Sequence, residues 1–410
     1  MKTPPPPPPP PPSRRDTLRV LGSLAALGPL GLPRLAEAAL QTEGGRRLVL
    51  LYLEGGNDGL NTVVPFEDDR YHRARPRLRL DPASVLRLDE QTGLHPGLAP
   101  LEAVWKEGRM AVLRDVGYPR PDRSHFVSRD IWHCGRRELP DPPTGFLGRA
   151  WEEGRLPAGA LPPMALGEAE APRILRGTEV TGLTLRDLDS LALKAPPGGG
   201  LEALRAAARE AEAAGGLAAR IARTARASYE TSERIRQALE RVPGGDDYPG
   251  EPLAARLRLA ARLLRIEGGP PVVWLRHGGF DTHAVQSGTH AALLGQLGRA
   301  LAAFLRDLAT DGTDRRTLVL VYSEFGRRVQ ENGSQGTDHG AAGPVLAFAG
   351  EGLQAGFHGQ PPDLDDLQDG DLRHQFDCRQ LFREILEDWL GVPARGLFDA
   401  PAGRTGLLAS

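Results

Sequence analysis

Carboxylates and imidazoles gather between glycines in a few short segments of this 410-residue chain. They are Glu54-Gly55-Gly56-Asn57-Asp58-Gly59-Leu60-Asn61-Thr62, His277-Gly278-Gly279-Phe280-Asp281-Thr282-His283, Ser323-Glu324-Phe325-Gly326-Arg327 and Gly336-Thr337-Asp338-His339-Gly340. Oxygen and nitrogen donors in such a mixture suit one or two divalent ions: zinc, manganese or calcium. Asp281 and His283 are two residues apart, so in an extended loop their side chains point the same way and reach one ion. Asp338 and His339 are adjacent and diverge, which suits two ions sharing the pair. Taken singly, each pair reads equally as a helix cap or a surface hydrogen bond. Together, Asp58, Asp281, His283, Asp338 and His339 make a candidate metal site, with Asn57 and Asn61 beside it. Glu324 is either a neighbour of the metal or the orienter of one of the histidines.

A nucleophile is expected at Ser124. The run Pro121-Asp122-Arg123-Ser124-His125-Phe126 reads as a loop entering a helix. A serine there sits near free N–H groups and the positive end of the helix dipole, which favour an anion. A serine beside a divalent ion also needs no catalytic base of its own. The alternative role for Ser124 is a plain N-cap. Arg123, His125 and Arg327 are candidates to bind the oxygens of an ester, the alternative for the arginines being surface ion pairs.

Elements must carry these groups to one place. Three apolar runs, 47–53, 271–275 and 317–322, each end in a glycine-bearing polar loop, as buried parallel strands do. Helical patterns over 98–107 and 290–308 alternate with them, so the expected fold is a doubly wound α/β sheet with helices on both faces. Ligands in such sheets bind at the carboxyl ends of the strands, where the Asp and His residues fall. An Ala-, Arg- and Glu-rich stretch between Pro196-Pro197-Gly198 and Pro243-Gly244-Gly245 predicts a helical insertion over about 200–245. A last amphipathic helix is expected over 380–390.

Composition narrows the function. With 40% hydrophobic residues the chain can bury a large core. A formal net charge of -2 gives no basic field for nucleic acid. Polyproline at 4–12 precedes Arg14-Arg15, an apolar stretch over 20–33 and Ala36-Glu37-Ala38. This pattern predicts a twin-arginine signal peptide over 1–38, removed by cleavage after Ala38. Export through the twin-arginine machinery to the periplasm or beyond follows, with residues 39–410 as the mature domain. No other stretch reaches the roughly 18 apolar residues of a membrane span. Cys134 and Cys378 stand alone, and an oxidising compartment permits a bond between them.

The motifs Gly-Gly-Asn-Asp-Gly-Leu-Asn-Thr at 55–62, Arg-Ser-His-Phe at 123–126, Phe-Asp-Thr-His at 280–283, Ser-Glu-Phe-Gly-Arg at 323–327 and Thr-Asp-His-Gly at 337–340 together resemble a known family. It is the twin-arginine-exported bacterial domain of unknown function 1501, grouped with the alkaline phosphatase and sulfatase superfamily. The resemblance implies an alkaline-phosphatase-like sheet and a two-metal ester hydrolase. Asp58, Ser124, Asp281 with His283, and Asp338 with His339 would fill the ligand and nucleophile positions, and His358 or His374 the place of a late third histidine. The first pair departs from the superfamily's Asp-x-x-x-His spacing. No cysteine stands at the nucleophile position, so formylglycine chemistry is not expected. The expected function is hydrolysis of phosphate or sulfate esters, on small molecules or polymers. The alternative is a non-catalytic exported protein that keeps a structural ion or a binding role.

Overall fold

The computed structural model describes residues 45–157, 160–187, 206, 209–210 and 231–409. The signal peptide expected over 1–38 lies outside the described residues. So does most of the insertion expected over 200–245, of which residues 231–241 are helical.

The apolar runs become the centre of a nine-stranded sheet. Its strands are β1 (Arg47–Glu54), β2 (Met110–Gly117), β3 (Met164–Leu166), β4 (Leu183–Leu185), β5 (Val272–Gly278), β6 (Thr317–Ser323), β7 (Gly343–Phe348), β8 (Gly356–His358) and β9 (Phe376–Asp377). In space they run β8-β2-β7-β6-β1-β5-β3-β4, with β9 also paired to β2. β1 is parallel to both β5 and β6, and Leu53 lies level with His277 on one side and Ser323 on the other. The three loops that hold the acids and histidines therefore leave the sheet side by side.

One strand departs from a wholly parallel sheet: β7 is antiparallel to β6 and β2. Parallel neighbours need a crossover, usually a helix. Residues 324–342 carry site residues and no helix, so the chain returns beside β6 in the opposite direction.

Strand side chains alternate between two cores. Val49, Leu51 and Leu53 of β1 join one cluster with α5 (Pro252–Arg265) and α6 (Gln286–Ala309). Leu48, Leu50 and Tyr52 join another with α3 (His125–Cys134), α4 (Phe146–Glu152) and α7 (Cys378–Glu384). The protein is thus α/β with helices on both faces. The helix expected over 98–107 begins as a 3-10 turn, Pro96–Leu101, and becomes α2 (Glu102–Lys106). Asp69–Ala74 forms the short α1. Cys134 and Cys378 are both buried free thiols, and burial pushes the Cys134 thiol up to about 11.

Candidate functional site

The site is assembled by close backbone approach. At Gly55, φ is +116°, and a Cβ there would lie 2.4 Å from the Asp281 nitrogen. Only glycine accepts that conformation so near another chain segment. A Cβ on Gly336 would lie 2.2 Å from the carbonyl carbon of His283. The first contact sets the 280–283 loop against the end of β1, and the second brings 336–339 against that loop.

Arg327 locks the three loops. Its side chain is fully buried, and the guanidinium donates to the carbonyls of Gly55, Gly56 (2.6 Å), Phe280 (3.1 Å) and Thr337 (2.8 Å), and to Asp281 Oδ1 (2.7 Å). These contacts use the fork that only arginine offers. Arg327 is therefore a positioning residue with no donor left for ester oxygens, contrary to the role expected for it. The Arg123 guanidinium pairs with the buried Asp371 at 2.6 Å. What Arg123 gives the site is its backbone carbonyl, which lies 2.7 Å from His339 Nδ1.

Three groups converge on one point. His125, Asp281 and His339 each present a ligand atom, all within 4.8 Å of one another. His125 Nε2 is 3.5 Å and His339 Nε2 3.1 Å from Asp281 Oδ1. His283 Nε2 lies 2.9 Å from Asp281 Oδ1 and 2.9 Å from His339 Nε2. Metal–nitrogen bonds of about 2.1 Å in a tetrahedron separate ligands by about 3.4 Å, so the cluster has the right dimensions for zinc.

Hydrogen bonds decide the tautomers. Arg123 O can only accept, so His339 carries its proton on Nδ1 and turns a bare Nε2 to the cluster. His125 Nδ1 donates to Glu324 at 2.7 Å. Glu324 is fully buried and also accepts from Gly55 N (3.0 Å) and Ser323 Oγ (3.0 Å). It thus orients His125, whereas the histidines expected for that role were His283 and His339. In the neutral ring His125 Nε2 is then bare, buried and without a hydrogen-bond partner. A buried orphan nitrogen beside two further donors is what a cation would satisfy. If His283 gives its Nδ1 proton to Asp338, 3.3 Å away, its Nε2 is a fourth donor.

Charge agrees with this. Glu324, Asp281 and Asp338 face the guanidinium of Arg327, with Arg328 acting on Asp338 as well, which leaves a surplus of negative charge. The hydrogen bond to Glu324 raises the basicity of His125. Burial works against ionisation of Asp281, but Arg327 outweighs it and holds the carboxyl at about 2. The Asn332 amide, with His283, keeps Asp338 below the usual range. Burial lowers His339 and so keeps it neutral.

Other expected groups lie elsewhere. Asp58 is fully buried and pairs at 2.5 Å with Arg75, just past α1, and with Gln286 Nε2. Burial opposes its ionisation, and Arg75 outweighs burial. This sealed ion pair keeps Asp58 from joining the cluster. Asn57 ties Thr62 to His290, and Asn61 accepts from Tyr71 and Arg75, so both asparagines brace the same interior network. His358 lies in β8 and bonds Gln354 O, away from the cluster. Ser124 is the half-buried N-cap of α3, adjoining His125. Its hydroxyl makes no capping bond, so the first turn is left without a side-chain cap, and its own N–H is held by Asp122. Sequence reasoning gave His125 to the substrate; its adjacency to Ser124 was the only local sign of it, since the partner Glu324 is 199 residues away.

The chain is similar to the zinc-bound C-terminal periplasmic domain of EcEptC from Escherichia coli, at 10% identity and a TM-score of 0.42, over 92% of this chain and 90% of that one. It is similar to alkaline phosphatase from the Antarctic bacterium TAB5, at 12% identity and 0.38, over 85% and 99%. It is similar to BT1596, a 2-O GAG sulfatase, at 11% and 0.36, over 89% and 73%. At these values the likeness says nothing of activity. No curated protein matches the chain in sequence. Residues 113–409, spanning α3 and every cluster donor, match one family, and the chain belongs to it: the proteins of unknown function designated DUF1501.

Proposed function

We propose that the protein is an exported, metal-dependent hydrolase of phosphate or sulfate esters. The observation that carries this reading is the orphaned Nε2 of His125, buried beside the bare Nε2 of His339 and the anionic Oδ1 of Asp281. Those three atoms, with His283, would hold a divalent ion, with zinc the best fit to the nitrogen-rich set. The ion would supply Lewis acidity toward the ester oxygen and lower the pKa of a hydroxyl beside it. With Asp58 sealed against Arg75, the remaining donors favour one ion, or a second held by Asp338 alone.

The chain's own residues supply the rest. Ser124 stands next to His125 at the open first turn of α3, where the N–H groups of His125, Phe126 and Val127 meet no helical acceptor. The Ser124 hydroxyl would take the phosphoryl or sulfuryl group and pass its proton to the departing alcohol. Water would then release the acid and restore the hydroxyl. The free N–H groups stabilise charge on the transferred oxygens. Glu324 and the Arg123 carbonyl keep the two ring planes fixed while this happens.

The arginine-containing signal over 14–15 and the apolar stretch after it support passage through the twin-arginine machinery to the periplasm or outside the cell. Among the described residues no helix is long and apolar enough to cross a membrane.

Metal content of the purified protein, prepared without chelator, tests the reading. The expected result is near-stoichiometric zinc, manganese or calcium, lost in Asp281→Ala, and hydrolysis of 4-nitrophenyl phosphate or sulfate that disappears in Ser124→Ala. A metal-free wild type, or turnover indifferent to both changes, overturns it.

A further inference from the structure

A second feature lies beside the cluster. A cavity of about 320 Å³ is floored by Tyr52, His133 and Trp274, on the face of the sheet that α3 covers. It touches the candidate site through two elements. Glu54 in its wall precedes Gly55, whose N–H holds Glu324. Arg129 in its wall lies one helical turn beyond His125, about 5–6 Å along the axis of α3. The volume is near the lower end of cavities that bind small molecules.

Most of its charges answer one another. Arg276 pairs with Glu54 at 2.7 Å and Glu168 at 3.0 Å, and Arg173 pairs with Asp130 at 3.0 Å. Arg129 is different. Its nearest carboxylates, Glu54 and Asp130, are each 3.9 Å away and already engaged by other arginines. The floor also holds an unanswered donor. Trp274 Nε1 donates to Tyr322 Oη at 3.1 Å, and that hydroxyl reaches His133 Nε2 at 3.3 Å. When the hydroxyl donates to Nε2, the His133 proton sits on Nδ1, which has no partner.

We infer that this cavity receives the alcohol portion of the substrate, and that it takes a hydroxylated group bearing a carboxylate, with Arg129 as the partner of that carboxylate. The assignment as a substrate subsite rests on the ester-hydrolase reading above; occupancy of the cavity does not. An apolar group would displace water from the wall charges without replacing its hydrogen bonds. A neutral sugar would match the paired charges and leave Arg129 unanswered. A carboxylate matches the planar fork of a guanidinium in two parallel hydrogen bonds. The hydroxyls of the same group are suited to the alternating Arg and Glu side chains around it.

Binding of D-glucuronate and D-glucose to the full chain, followed by calorimetry or ligand-observed NMR, tests this without turnover. D-glucuronate is expected to bind, D-glucose at least about tenfold more weakly, and Arg129→Gln to lose about tenfold in glucuronate affinity, as befits a charged hydrogen bond. Arg129→Lys keeps the charge without the fork and is expected to fall between the two; it also serves should Arg129→Gln melt early. Equal affinity for the two sugars, no glucuronate binding, or affinity unchanged in both variants overturns the inference. Asp281→Ala separates the two readings, since it should abolish metal and turnover and leave glucuronate binding intact.

Discussion

Glu324 holds His125 by Nδ1 and leaves its Nε2 bare, so the value of Glu324 should show in metal affinity. Replacing an orienting carboxylate typically costs 10- to 100-fold in affinity, and Glu324→Gln is expected to weaken zinc binding by about that factor in a competition titration. Unchanged affinity would remove Glu324 from the site. Asp58 makes the opposite case. Asp58→Asn leaves the Arg75 guanidinium buried without its anion, a loss on the order of 3–5 kcal/mol in denaturant unfolding. Metal bound per folded molecule should not change, because the cluster does not use Asp58; loss of metal in that variant would restore it as a ligand. The residue types were legible in sequence: Asp281, His283 and His339, singled out by their spacing after strand ends, lie within about 3 Å of one another. Arg75 was not legible as the partner of Asp58. It lies 17 residues downstream, beyond α1, and nothing in its local sequence marks it as buried.

Strands β1, β5 and β6 could be read directly, because burial on both faces demands continuous apolar runs. The antiparallel β7 could not, since that depends on the absence of a crossover in 324–342, which alternation of patterns does not reveal. Nor could the cost of each glycine. Gly55 combines a left-handed φ with a backbone approach that a Cβ would violate. Gly55→Ala is expected to push the 280–283 loop outward, destabilising the fold by about 1–3 kcal/mol, the usual size of such strain. Because Asp281 moves with that loop, metal content should fall more than the melting temperature suggests. A variant that keeps full metal would show that the loop tolerates the displacement. Arg327 works at the same scale, tying three loops that follow three strands. Arg327→Met should unfold the loops and lower stability on the order of 3–5 kcal/mol, since several carbonyls and Asp281 lose a buried donor.

The whole molecule should be sensitive to acid for a reason independent of the metal. Burial pushes the imidazoles of His95, His133 and His290 down to about 4, 3 and 4. Each stays neutral in the fold, while the unfolded chain protonates it below about 6.5. Between those values the unfolded state binds more protons, so stability is full above about pH 6.5 and falls as pH drops toward 4. Asp115 opposes the trend. Burial raises its carboxyl to about 6, so the fold keeps a proton that the unfolded chain releases above about 4. Taken alone, these three imidazoles against one carboxyl leave a net loss near pH 5 of roughly 3 kcal/mol per pH unit, at about 1.4 kcal/mol for each proton. Melting curves of chelator-treated protein between pH 7 and 4 exclude the simpler cause, protonation of metal ligands with release of an ion. The midpoint should drop steadily over that range, and His290→Gln should shallow the slope by one proton. Were the metal-free protein equally stable at pH 7 and pH 4.5, the three histidines would have to be protonated in the fold, and the neutral tautomer assigned to His133 beside the cavity, with its proton on Nδ1, would have to be reassigned with them.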